Sequence, residues 1–186
     1  MLYSKNGVRI LALDDAPFKK NDKKDKIVGI IGREHIIEGV ISFDVSIDGD
    51  DSTEEIINAV KRSRFSPQIK ALALNGIALA GLNVIDVEKI NQALKIPIIM
   101  FTRRRPRRTL FNAAIKKSAK GDYRKRIDTV NRVYKNIKIH RKIGFFVQVY
   151  PANVDVNNLV ENSVYFLRLA NLVASGITRG ESKGRI

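Results

Sequence analysis

The sequence predicts an α/β fold, one mixed sheet of five to six strands flanked by helices, in a single domain spanning residues 1–186. Three observations carry this. Short apolar runs rich in β-branched residues, bounded by Gly, Asn or Asp, have the length and edges of strands. Between them lie stretches with helical spacing and capping residues at their starts. Neither an internal repeat nor a linker long enough to divide two units interrupts the series.

Val8–Leu13 (VRILAL) is the first strand, closed by Asp14-Asp15. Lys19–Lys26 is charged, has little to bury and reads as a loop. Lys26–Ile31 (KIVGII) and Glu38–Ile47 (EGVISFDVSI) form a hairpin or meander, because the link between them is short. The second of these runs into Asp48-Gly49. Ser52-Thr53-Glu54-Glu55 has the pattern of a capping box, in which the Ser52 hydroxyl accepts a helix amide and Glu55 reaches back. The helix it starts carries Ile56, Ile57 and Val60 inward and ends near Arg64–Ser66, before Pro67.

Lys70–Leu74 (KALAL) is the fourth strand and stops at Asn75-Gly76. A helix capped by Asp86 runs to Leu94, and the strand Ile96–Phe101 empties directly into an arginine run. Thr109–Lys120 and Tyr123–Tyr134 have helical spacing, with apolar faces at Leu110, Ala113 and Ala114 and at Ile127, Val130 and Val133, separated by Gly121-Asp122. Ile143–Tyr150 (IGFFVQVY) is one more strand. Asp155 or Asn157 begins a last helix containing Leu159, Val160, Leu167, Leu169, Leu172 and Val173, capped by Gly176 and followed by a polar tail.

Composition narrows the chemistry. The absence of cysteine excludes disulfides, thiol nucleophiles and Cys-based zinc or iron–sulfur sites. No apolar run reaches the length of a membrane span and the N-terminus MLYSKNGVRI lacks the apolar block of a signal peptide, so a cytoplasmic protein is expected. His35 and His140, the only histidines, lie in unrelated segments without a triad context. Gly76–Gly81 is followed by no GK[ST] and is not a P-loop.

The net charge of +15 is local: residues 103–142 hold 16 Lys and Arg against 2 acids, whereas residues 1–102 balance at 14 of each. That concentration, opened by Arg103, Arg104, Arg105, Arg107 and Arg108 around Pro106, is the footprint of a phosphate binder and points to nucleic acid, DNA or RNA. A solvated helical face is the plainer alternative.

Three expected strands end in acids or an amide: Asp14-Asp15, then Asp48 with Asp50 and Asp51, then Asn75. Ligands of open α/β sheets bind beyond the carboxyl ends of strands, and gathered carboxylates call for a hard cation with oxygen ligands, Mg2+ or Mn2+. Asp-Gly and Asp-Asp pairs also form ordinary turns, so the spacing alone leaves both readings open.

LALDDAPF, DVSIDGDDST, LNGIALAGLNVID and LANLVASGITRGESKGR, in that order along nearly the whole chain, resemble an archaeal family of unknown function, domain family ninety-nine. That family is similar in layout to endonuclease V, which implies a ribonuclease-H-like fold and magnesium-dependent nicking near deaminated adenine. The resemblance puts Asp14 and Asp48 in the place of two metal-binding acids and Asn75 in the place of the third, with Asp15 beside them. Gly81 stands where a histidine would be and Arg103 where a lysine would be. The implied protein is a nuclease, or a nucleic-acid-binding descendant on the same fold that has lost the chemistry.

Overall fold

A computed structural model of the chain describes residues 7–19, 21–118 and 122–182. Gly121, Lys120 at the expected end of one helix, residues 1–6 and residues 183–186 of the polar tail lie outside these. The main sheet is built from β1 (Arg9–Asp15), β2 (Lys24–Arg33), β3 (Ile36–Ser46), β4 (Ile69–Leu74), β7 (Ile98–Thr102), β8 (Lys138–Lys142) and β9 (Phe145–Tyr150), in the order β3-β2-β1-β4-β7-β9-β8. A small hairpin of β5 (Ala78–Leu79) and β6 (Asn83–Val84) stands apart from it. Strands β1, β4 and β7 are parallel, and the flanking pairs are antiparallel. The carboxyl ends of β1, β3, β4, β7 and β8 therefore emerge at one edge of the sheet.

The sheet is mixed, as expected, but has seven strands where the sequence predicts five to six. The addition is β8, whose residues KIHRK lack the apolar alternation that marks a strand. Its position at the sheet edge explains this, because an edge strand need not bury both faces. The expected strand from Ile143 begins instead at Phe145, since Ile143 and Gly144 take positive φ values of 45° and 82° and turn the chain. The meander of β2 and β3 is as predicted.

Helices cover both faces. On one, α1 (Ser52–Arg62), α2 (Val87–Leu94), α3 (Arg108–Ser118) and α4 (Tyr123–Lys135) accompany a core that includes Leu11, Leu13, Ile27, Ile56, Leu72 and Val133. On the other, α5 (Val160–Arg179) packs Phe166, Leu167, Ala170 and Ala174 against Ile10, Ala12, Ala71 and Ala73. Each large side chain so buried contributes about 1.5–3 kcal/mol.

Three helix expectations need correction. The capping box does not form: Asp51 precedes α1, and the Ser52 hydroxyl is buried with no hydrogen-bond partner among the described residues. Asp51 turns back instead, its Oδ2 accepting the Ser46 hydroxyl at 2.7 Å and its Oδ1 the Asn83 side-chain amide at 2.6 Å. Leu110, Ala113 and Ala114 face solvent, Leu110 at 59% exposure, while Ile115 and Phe111 fill the core side of α3. Finally, α5 begins at Val160 after a 3-10 turn and is capped by Gly180, so Gly176 lies within the helix and Val173 is exposed.

Candidate functional site

β1 runs through both of its terminal acids, and strand alternation sends them to opposite faces. Asp14 continues the Ile10 and Ala12 row beneath α5. Its carboxylate is 2% exposed and lines a cavity of about 160 Å³ with Asn75, Phe101, Arg103, Phe145, Val164, Leu167 and Asn171. Asp14 Oδ1 accepts the Asp15 amide at 3.1 Å and the Asn75 side-chain amide at 3.4 Å. Burial, then the charge of Asp15, pushes the Asp14 carboxyl up to about 7, while hydrogen bonds from Asn171 and Asn75 pull the other way. Such a group gains from a cation, which replaces the lost hydration of the charged form.

Asp15 faces the other core. Its Oδ2 accepts the Ala80 amide at 2.9 Å, tying the end of β1 to the β5–β6 turn, and burial raises its pKa as well. Asp48 serves the same turn. Its backbone is left-handed, φ 55°, a conformation Asp tolerates better than most residues. Its Oδ1 accepts the Leu82 amide at 3.0 Å, its own amide donates to the Ala80 carbonyl at 2.9 Å, and its carbonyl accepts Arg126 Nη1 at 3.1 Å. Gly81 at the tip has φ 83°, and a Cβ there would sit 2.4 Å from Asp48 Oδ1. No side chain, histidine included, fits that position as it stands.

The fold thus brings Asp14, Asn75 and Arg103 to one cavity and gives Asp15 and Asp48 to the adjoining turn; Asp48 is not among the cavity's lining residues. Among the described residues no group of three or more His, Asp or Glu is placed to hold a metal ion. The cavity's donors still suit a hard ion of the magnesium kind, which takes one or two carboxylates and completes its shell with water and substrate phosphate. Asp14 would supply the carboxylate, and Asn75 an amide oxygen once its side chain is flipped, an exchange of nearly isosteric atoms.

Sequence reasoning missed two residues. Asn171 reaches the cavity from α5, and its only signal was its place in the LANLVASG motif. Asp25 on β2 is 4% exposed, its Oδ2 has no hydrogen-bond partner among the described residues, and burial followed by the charge of Asp15 pushes it up to about 7.

All five arginines of the run are exposed. Arg103 lines the cavity, whereas Arg104, Arg105 and Arg107 line a separate cleft with Leu110, Phe111 and Ala114. The run ends at Arg108, the first residue of α3. A helix N-terminus is the positive end of its dipole, so cations there are disfavoured by about 0.3–1 kcal/mol each unless an anion joins them. That placement opposes the dipole.

A family model described as Endonuclease dU matches residues 6–178. The chain belongs to the Endonuclease dU family. Its relatives include a UPF0215 protein of Nanoarchaeum equitans, 33% identical over 96% of this chain and 92% of the relative, and one of Archaeoglobus fulgidus, 32% identical over 95% and 97%. A crystal structure of an Archaeoglobus fulgidus protein of unknown function superposes at TM-score 0.77 with 30% identity, covering 91% of this chain and 97% of that one. Human endonuclease V superposes at 0.51 with 8% identity, covering 90% and 83%, a likeness of fold. The family resemblance read from the four motifs and the ribonuclease-H-like architecture both hold. No helix among the described residues is long and apolar enough to cross a membrane.

Proposed function

We propose that this member of the Endonuclease dU family is a metal-dependent nucleic-acid endonuclease, with deoxyuridine-bearing DNA, after the family's description, the first substrate to try. One observation carries the reading: a carboxylate, Asp14, buried at the carboxyl edge of the sheet with its pKa pushed to about 7, facing a cavity that Arg103 also lines. Asp14 with Asn75 would hold Mg2+ or Mn2+, and the ion would supply charge neutralisation of the phosphate and acidification of a water. Arg103 presents a guanidinium to the same phosphate, a planar donor set suited to its oxygens. Asn171 holds the Asp14 carboxylate in place. The exposed arginines from Arg104 to Arg108 grip the flanking backbone.

The test is cleavage of single-stranded, structured and deaminated DNA and RNA with Mg2+ or Mn2+ by wild type and Asp14→Ala. Cleavage by the wild type that the variant loses is the expected result. An inert wild type, or an equally active variant, would falsify the proposal. A second reading, binding without cleavage, is favoured by the diversion of Asp48 and Asp15 into the turn. In that case nucleic acid binds with steep salt dependence and Asp14→Ala leaves the affinity equal or higher.

A further inference from the structure

The groove beside the candidate cavity has a basic wall that the arginine run does not include. Lys138, His140 and Lys142 alternate along β8 and are paired across the ladder with Val149, Val147 and Phe145. Alternation puts the three on the α5 side of the sheet, and all five residues of the strand are partly or fully exposed. With Val147, Val149 and Val160 as floor and residues 152–157 as the opposite wall, they line a trough of about 320 Å³.

This trough and the cavity of Asp14 follow one another along α5 and β9. Val160, Val164, Leu167 and Asn171 form one stripe of α5; the first lines the trough and the other three line the cavity. Across from the stripe, β9 offers Val149 and Val147 to the trough and Phe145 to the cavity. The register of β7, β9 and β8 places Lys142 at the edge where Thr102 precedes Arg103, and Lys138 at the far end. The one carboxylate on the trough, Asp155, accepts the Asn157 amide at 3.0 Å. Lys142 Nζ donates to the Asn157 carbonyl at 3.1 Å and to its Oδ1 at 3.2 Å, and among the described residues it forms no ion pair.

We infer that β8 is a backbone track for a single nucleic-acid strand, which lies in the trough over Lys138, His140 and Lys142 and leads to the Arg103 cavity. The inference rests on the reading that the cavity takes nucleic acid. An apolar floor with cations on one wall and asparagine amides on the other suits bases below and phosphates beside. The ladder spans roughly 13 Å from Lys138 to Lys142.

Binding of a long and a short deoxyoligonucleotide, the short one able to fill only the cavity, is measured against salt in EDTA for wild type, Lys138→Gln and Lys138→Gln/Lys142→Gln. Thermal unfolding checks each variant's fold. For the long strand, the slope of log affinity on log salt should fall by about 0.7 in the single variant and about 1.4 in the double. Binding of the short strand should not change. A double variant that fails to fold leaves the exposed single substitution to decide. An unchanged slope for the long strand in a folded variant overturns the track and leaves the proposed function intact. Failure of the wild type to bind either strand, both in EDTA and with Ca2+ in its place, overturns both.

Discussion

The end of β1 and the segment after Thr102 both place like charges side by side, and they are handled in opposite ways. At the end of β1, Asp14 is taken out of water and Asp15 partly so, and each has its bonding specified: Asp14 by Asn75 and Asn171, Asp15 by the Ala80 amide. After Thr102, the arginines stand in solvent and line open clefts, and even apolar Leu110 on the following helix faces outward. Desolvating a charge is unfavourable unless a partner compensates. Under the proposed function the buried acid serves the chemistry and the exposed cations take the polyanion.

That contrast can be broken most sharply at Asp14. Asp14→Ala should lower cleavage roughly 100- to 10,000-fold, the range for removing a positioned reacting group, whereas removing Arg105 and Arg107 should weaken binding most at low salt, flatten its salt dependence and leave the single-turnover rate at saturation unchanged. Equal effects of the two on that rate would erase the distinction between the regions. A related expectation concerns pH: a cation needs the deprotonated Asp14, so at limiting metal cleavage should rise as pH rises through about 7.

Stability separates the regions next. Ile115, fully buried, should cost about 2–5 kcal/mol on replacement by Ala, and Leu110→Ser on the same helix should fall within about 0.5 kcal/mol of wild type. Urea denaturation of both variants measures the difference. Between them lies Gly81→Ala, which adds a Cβ in left-handed backbone against Asp48 Oδ1 and should cost about 1–3 kcal/mol.

A last expectation concerns Asp25. Its folded-state pKa of about 7 exceeds the ordinary carboxylate value, so the folded state keeps a proton that the unfolded state has lost. Its contribution to stability is fully present below about pH 4 and is lost as pH rises towards 7 and above. Asp25→Asn should therefore narrow the gap between melting temperatures at pH 5 and pH 8. A gap of wild-type size would show that Asp25 titrates normally.

Much of the fold was legible because its strands are continuous apolar runs. KALAL and VRILAL could be buried in few other ways, and the Asp86 cap of α2 forms as expected, accepting the Lys89 amide at 3.2 Å. β8 was illegible, since an edge strand of lysine, isoleucine, histidine and arginine carries no period-2 hydrophobic signal. The inward face assigned to α3 failed for a related reason. Helical spacing marks several apolar stripes on KKS-ended TLFNAAI, and only the neighbours α4 and β6 select Phe111 and Ile115 over Leu110.

By itself the sequence determined that α/β elements alternate, that positive charge concentrates between residues 103 and 142, and, through four ordered motifs, which family the chain joins. Tertiary structure alone decided which strand-end acids share a cavity. β1 extends two residues further than its apolar run, so alternation separates Asp14 from Asp15, and a turn formed far along the chain claims Asp48 through the Leu82 amide. Local patterning fixes what a segment becomes, but a carboxylate's partners are chosen by residues brought beside it from elsewhere, and those choices have no local signal.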